Sequence, residues 1–303
     1  MINLETLKKD LQFSLKGLCL EDNILAPFTS FQIGGKADFL CQPVDKDDLI
    51  SLQQFAISRR IPFFVIGGGS NILVSDNGVR GIVILLKDSF NKIQIKDSLV
   101  YAEAGVKLGH LLKVCAEHGL SGLEFLAGIP GTVGGIIATN AGAFGHDIAS
   151  KIKTIEIIKQ NGQLVIVNIE DLSFGYRKGP VSDHEIITEA VFQLELEQPE
   201  KIRKQMRLFM EKKLASQPIR EKSAGSVFKN PEGNYAGKLI EAAGLKGVEK
   251  GHAKISPMHA NFIVNCGRAK AKDVIYLMNA AIEQVFKRFA IKLEPEIRIV
   301  GDR

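Results

Sequence analysis

Residues 127–145, AGIPGTVGGIIATNAGAFG, hold six glycines and no charged residue in nineteen positions. A second glycine turn, GGGSN at 67–71, follows the apolar run PFFVI. Backbone without a Cβ lets a ligand approach main-chain N–H groups closely. Successive N–H groups of this kind form a concave anion nest, and a pyrophosphate is an anion that suits two such turns. The candidate binders are therefore Gly67, Gly68, Gly69, Ser70 and Asn71 in one turn, and Gly128, Ile129, Gly131, Thr132, Gly134 and Gly135 in the other. The uncharged tail GGIIATNAGAFG suits a flat hydrophobic ring lying along it, with Asn140 offering its amide and Gly142 keeping the wall bare. The competing reading is that these glycines serve tight turns and close packing alone. Two nucleotide templates fail: Ile72 stands where a Rossmann loop needs its third glycine, and no Gly-Lys-Ser or Gly-Lys-Thr occurs.

A different chemistry is suggested between residues 200 and 230, where nine Lys or Arg face three Glu. Much of EKIRKQMRLFMEKK reads as the solvated face of an amphipathic helix, yet the excess also suits an anionic ligand. Aromatic residues are not interleaved with these bases and no recognition motif is present, so nucleic acid is not expected as a partner. The four cysteines, Cys19, Cys41, Cys115 and Cys266, are far apart and form no CxxC pair, so free thiols are expected and no metal site.

The elements that must position these groups follow from periodicity and punctuation. DKDDLISLQQFAISRR (45–60) has acids in its first turn and bases in its last, as a helix dipole favours. PFFVIGGGSNILV reads as strand, turn, strand, and GVRGIVILL and SLVYAEAGV continue the β pattern. LGHLLKVCAEHGL is a helix ended by Gly119. KIKTIEIIKQNGQLVIVNI is two strands joined at Asn161-Gly162, and EIITEAVFQLEL is another strand. Beyond Pro199 come a long helix, SVFKNP, the helix NYAGKLIEAAG, the strand HANFIVN, the helix AKDVIYLMNAAIEQVFKRFA and a final strand KLEPEIRIV. The whole reads as α+β, with a boundary near residue 200. The N-terminal MINLETLKKDLQFSL reads as an amphipathic helix without the apolar core of a signal peptide. The longest apolar run, Ile82 to Leu86, is too short for a bilayer. A cytoplasmic protein without membrane contact is expected.

The motifs VIGGGSNILVSD, GLEFLAGIPGTVGGIIATNAGAFG, GYR, GSVFKNP and LEPEI, in this order from about residue 25 to 300, strongly resemble the UDP-N-acetylenolpyruvoylglucosamine reductase family. The resemblance implies a vanillyl-alcohol-oxidase/PCMH-type FAD-binding module of two α+β subdomains, followed by a smaller α+β substrate-binding domain. On that basis 1–28 is an N-terminal helical segment, 29–198 the FAD-binding domain (subdomains about 29–88 and 89–198), and 199–303 the substrate-binding domain. It implies FAD, NADPH as hydride donor, and UDP-N-acetylglucosamine enolpyruvate as substrate for peptidoglycan synthesis. No HxxxC-type flavin attachment site is evident, so the FAD is expected to be non-covalent, and a monomer is expected. Ser226 matches the family's proton donor, Arg177 the arginine that grips the substrate carboxylate, and Glu296 the active-site glutamate, with Glu294 beside it as a decoy. Lys213, Lys229 and Asn230 are expected at the UDP end.

If SVFKN is extended, Ser226, Phe228 and Asn230 share a face and Lys229 points away. Alternation along KLEPEIRIV would turn Leu293, Pro295, Ile297 and Ile299 to the core. Gly179 stands where the family's YRxS pattern has serine, which bears on the hydrogen bonding around Arg177. The short segment between Arg177 and Ser226 looks like the family's compact branch, without a tyrosine-bearing insert. His252 and His259 are weaker acid candidates. Two other functions share part of this pattern. A flavin oxidase of an alcohol or sugar lactone would share 62–145 but has no reason to carry GSVFKNP and LEPEI. A non-catalytic nucleotide-sugar-binding regulator has no reason to keep Ser226, Arg177 and Glu296 together.

Overall fold

A computed structural model describes residues 10, 11 and 15–301 of the chain. Most of the helix expected at 1–15 lies outside the described residues. Where the chain is described, the helical segment expected up to residue 28 gives way to a β-strand, Leu18–Ile24, and a single 3-10 turn, Ala26–Phe28. The strand is set up from a distance. The buried Asp48 carboxylate accepts the N–H groups of Lys16, Gly17 and Val44 at 2.9, 3.0 and 2.9 Å. No local periodicity announces an anchor of that kind.

The chain divides into two compact units. The first comprises Met1–Asn23, Asp38–Gly68 and Gly81–Met210, the second Ile24–Ala37, Gly69–Arg80 and Glu211–Arg303. The expected boundary near residue 200 therefore misses two early stretches that belong with the C-terminal residues. The cause is a long-range pairing: Ile72–Val74 runs parallel to Arg298–Val300, with Leu73 opposite Ile299.

In the first unit, a four-stranded sheet is ordered Leu18–Ile24, Lys36–Gln42, Val79–Leu85, Phe63–Ile66. The last two strands are parallel, Phe63 opposite Ile82 and Ile66 opposite Leu85. A five-stranded antiparallel sheet is ordered Leu164–Asn168, Ile152–Ile158, Ile186–Gln193, Leu99–Glu103, Ile93–Lys96. Alternate residues of its strands, among them Ile155, Ile157, Ala190, Phe192, Val100 and Ala102, are buried in the core of this unit. Truncating Phe192, fully buried, would cost about 3–5 kcal/mol. Helix Lys46–Ser58 begins where expected, because the Asp45 side chain accepts the Asp48 N–H and acids occupy the first turn. The Asn161-Gly162 hairpin forms with a three-residue loop, Gly162 taking φ +81°.

The second unit packs helices Ala236–Ala242 and Ala271–Phe289 with an antiparallel sheet ordered Glu249–Lys250, Ala253–Ile255, Ile263–Asn265. Its core includes Phe31, Leu73, Phe228, Val274, Leu277 and Leu293. Helix Ala271–Phe289 is started by Asp76, whose two carboxylate oxygens accept the Ala271 and Lys272 N–H groups at 2.8 and 3.1 Å. No helix of the described residues is long and apolar enough to cross a membrane.

Candidate active site

In the first unit the two glycine turns meet backbone to backbone. A Cβ on Gly68 would lie 2.6 Å from the Gly131 Cα, and one on Gly67 would overlap the Thr132 hydroxyl. The packing reading of these glycines therefore holds for part of the set. Beside them opens a cavity of about 100 Å³ lined by Gly67, Thr132, Gly134 and Gly135, with an apolar wall of Val65, Leu86, Ala104, Val181 and Ile187. The Thr132 Oγ1, on a residue 1% exposed, has no hydrogen-bond partner among the described residues. A buried hydroxyl left so costs about 1–3 kcal/mol, which a ligand accepting or donating at that atom would recover.

The tail of the second turn is not a flat wall. Val133–Ala138 is a short helix and Gly142–Ala143 pairs with His146–Asp147 as a hairpin. The hairpin tip, Phe144, stacks on Phe209 with ring centroids 4.6 Å apart. Phe144 nonetheless stays exposed, and Gly142 is bare because a Cβ would press on His146 O and on Asp147. Gly128 takes φ +78°, and the Ile129 N–H donates to Leu126 O at 2.9 Å.

Asn140, whose amide is expected at the cofactor, is instead engaged by the protein. It is 4% exposed, and its Nδ2 donates to Gly175 O at 3.0 Å and to Asp147 Oδ2 at 3.4 Å. Its Oδ1 accepts the Ala149 N–H at 3.4 Å. The Gly175 contact supports the turn that carries Arg177. Gly175 and Lys178 exchange two backbone bonds, at 2.9 and 3.1 Å, with Tyr176 and Arg177 at the corners. Arg177 takes φ +55°, at the third position of a turn where a left-handed conformation is needed. Its guanidinium carbon lies 5.4 Å from the Tyr176 ring centroid. Gly179 follows because a Cβ there would sit 2.6 Å from Ala138 O, the acceptor of its own N–H.

In the second unit, Gly69 takes φ +61° with its carbonyl accepting the Ser30 N–H at 3.0 Å, and Ser70 is half-buried beside it. Asn71 faces the other candidates. Its Nδ2 donates to Glu296 O at 3.2 Å, and its carbonyl accepts the Arg298 N–H at 2.9 Å. The Glu296 N–H in turn donates to Val227 O at 2.7 Å. The Glu296 backbone is thus tied to the residue that follows Ser226, and Ser226 and Glu296 are both half-buried. Gly225 takes φ +75° with open space where a Cβ would point.

The residue that sequence reasoning missed is Asn261, 3% exposed. Its side chain accepts the Phe228 N–H at 2.9 Å and donates to Phe228 O at 2.8 Å, acting as a surrogate strand. HANFIVN shows an asparagine at the start of a strand and nothing more, so no local signal reveals this pairing.

Phe228 does not share an open face with Ser226; it is buried at 2% exposure, and Asn230 is exposed with its Oδ1 accepting the Ala236 N–H at 3.0 Å. Pro295 is also exposed, against the expected alternation, because only Arg298–Val300 of that segment is strand. Lys229 Nζ lies 3.7 Å from Glu294, so the decoy glutamate has a partner of its own. Lys213 is 5% exposed. Most other bases of helix Pro199–Ser216 face solvent, with local pairs Lys201–Glu197 and Arg203–Glu200, which favours the solvated-face reading. His259 accepts the Asn261 N–H at 3.2 Å, and burial lowers its pKa, so it serves the fold; His252 is exposed.

Comparison with known proteins matches residues 37–168 to an FAD binding domain and residues 217–300 to the C-terminal domain of UDP-N-acetylenolpyruvoylglucosamine reductase. The chain is 44% identical over 298 residues to the UDP-N-acetylenolpyruvoylglucosamine reductase of Carboxydothermus hydrogenoformans, covering 98% of each. It is 41% identical over 276 residues to that of Caldanaerobacter subterraneus, covering 91% of each. The crystal structure of the Thermus caldophilus enzyme superposes with a TM-score of 0.82 at 35% identity, over 95% of this chain and all of that one. The chain therefore belongs to the UDP-N-acetylenolpyruvoylglucosamine reductase family.

Proposed function

We propose that the chain reduces UDP-N-acetylglucosamine enolpyruvate to UDP-N-acetylmuramate, using NADPH and non-covalent FAD, in the synthesis of peptidoglycan precursors. The observation that supports the residue assignment is the backbone bond from Glu296 N–H to Val227 O, which ties the segment bearing Glu296 to the residue that follows Ser226. The fit to FAD is supported by the glycine-lined cavity and the buried Thr132 hydroxyl that lacks a protein partner. Gly67, Thr132 and Gly135 would hold the cofactor there.

Hydride chemistry, from NADPH to the enolpyruvyl alkene, is what bound FAD supplies. The chain's own residues handle the charge and the proton. Arg177 binds the substrate carboxylate, which becomes more electron-rich as hydride adds to the terminal carbon. The alkene's electron pair then rests on the adjacent carbon and its carboxylate as an enolate. Ser226 Oγ–H donates its proton to that adjacent carbon, and the resulting alkoxide regains a proton from solvent. Glu296 assists the same protonation. Lys229 and Asn230, and Lys213 more weakly, are assigned to the diphosphate end. The reading takes the enzyme as a cytoplasmic monomer, testable as a single species near 33.2 kDa on sedimentation.

The test of the activity is direct. Purified protein should be yellow, bleach with NADPH and recover its colour when the enolpyruvyl substrate is added. Recovery with an alcohol or sugar lactone instead would favour an oxidase, and colourless protein that binds the nucleotide sugar would favour a regulator.

A further inference from the structure

We infer that Asn140 is a positioning residue for Arg177: its amide, at the end of the short helix whose other end forms the glycine cradle, sets the direction of the turn that carries the arginine. The inference rests on the reading of Arg177 as the group that binds the substrate carboxylate. Within the turn, Gly175 and Lys178 exchange two backbone bonds. Two further bonds tie it to the last turn of helix Val133–Ala138: Asn140 Nδ2 to Gly175 O at 3.0 Å and Gly179 N–H to Ala138 O at 3.1 Å. They grip the turn on both sides of Arg177. Arg177 itself is left-handed at φ +55°, a conformation that an arginine keeps only when its surroundings hold it.

The helix is the reason these contacts bear on function. At its start, Gly134 N–H donates to Ala104 O at 2.8 Å and Gly135 lines the cavity. At its end, Asn140 is itself left-handed, at φ +43°, a conformation that asparagine tolerates and most residues do not. The Asn140 carboxamide has both functional ends engaged, the oxygen by Ala149 N–H and the nitrogen by Gly175 O and Asp147. Six residues of helix thus fix the spacing between the wall of the cofactor cavity and the root of the carboxylate-binding arginine. A misplacement of a reacting group by about 1 Å can cost on the order of 100-fold in rate.

The test uses holoenzyme and separates this role from a plain structural one. Asn140→Gly keeps the left-handed backbone and removes the amide; Asn140→Asp keeps an acceptor for Ala149 and removes the donor to Gly175. Both variants should retain FAD and be reduced by NADPH within about 2-fold of wild type. Reoxidation by the enolpyruvyl substrate should slow by roughly 10- to 100-fold, with a raised Michaelis constant. In an Arg177→Ala background the same changes should cost less than about 2-fold more, since residues that act as one unit are not additive. Amide hydrogen exchange at Lys178 and Gly179 should quicken in Asn140→Gly, whether or not substrate is turned over. Unchanged exchange at those amides would overturn the inference while leaving the role of Arg177 intact, as would equal losses in both backgrounds. An Arg177→Ala enzyme that reoxidises at the normal rate would overturn the reading of Arg177 and the inference with it.

Discussion

A Cβ on Gly134 would sit 2.9 Å from the Ala104 Cβ, whereas one on Gly135 would meet only Thr132 Oγ1, at 3.6 Å. Neighbouring glycines thus lack side chains for different reasons, packing at one and access at the other. Gly134→Ala should destabilise the protein by about 1–3 kcal/mol through overpacking, seen as a lowered Tm. Gly135→Asp should fold normally yet lose FAD, because its carboxylate enters the cavity; full flavin content after gel filtration would disprove the assignment. Thr132→Val should weaken FAD binding by roughly 5- to 10-fold, corresponding to about 1 kcal/mol for one lost hydrogen bond. At this scale the sequence showed which residue types were unusual but not what each one touched. Asn71, Asn140 and Asn261 are three asparagines of similar appearance, and only long-range partners separate their tasks: Glu296 O, Gly175 O and the Phe228 backbone.

Elements whose signals are local were legible. Helix Lys46–Ser58 announces itself by Asp45 and its first-turn acids, and the long strands by alternation. What could not be read was pairing across the chain, as in Leu18–Ile24, Ile72–Val74 and the pinned segment around Val227. The five-stranded sheet holds a further consequence of pairing. Glu189 lies opposite Glu156 on one neighbouring strand and Glu103 on the other, a row of like charges that destabilises a sheet. Burial, with help from Glu156 and Glu103 and against Lys46, raises the Glu189 pKa. A carboxyl whose folded pKa lies above its unfolded value costs stability once both states are ionised, and the cost vanishes as pH falls below the unfolded pKa. Glu189→Gln should therefore raise Tm at pH 7, by an amount worth less than about 1 kcal/mol because the group is partly solvated. The gain should shrink as pH falls through the raised Glu189 pKa toward the ordinary glutamate value, about 4.3. A gain independent of pH, or a loss at pH 7, would contradict the charge-row argument.

For the molecule as a whole, ordered motifs carried more than composition did. A net charge of +5 and ordinary hydrophobicity excluded little, while five motifs in sequence led to the family that the relatives then showed. The family and its α+β character were legible; the division of the chain into units was not, because Ile24–Ala37 and Gly69–Arg80 join their unit through contacts distant in sequence. The central claim is that Ser226 donates the proton to the substrate and takes no part in the reduction of flavin by NADPH. Rapid-mixing absorbance of the flavin follows the two half-reactions separately in Ser226→Ala, with Glu296→Ala expected to resemble it and Glu294→Ala to stay near wild type. Loss of a general acid costs roughly 10²- to 10⁴-fold. The account predicts flavin reduction by NADPH at the wild-type rate and reoxidation by the enolpyruvyl substrate slowed to that extent or beyond; slow reduction with normal reoxidation would contradict it.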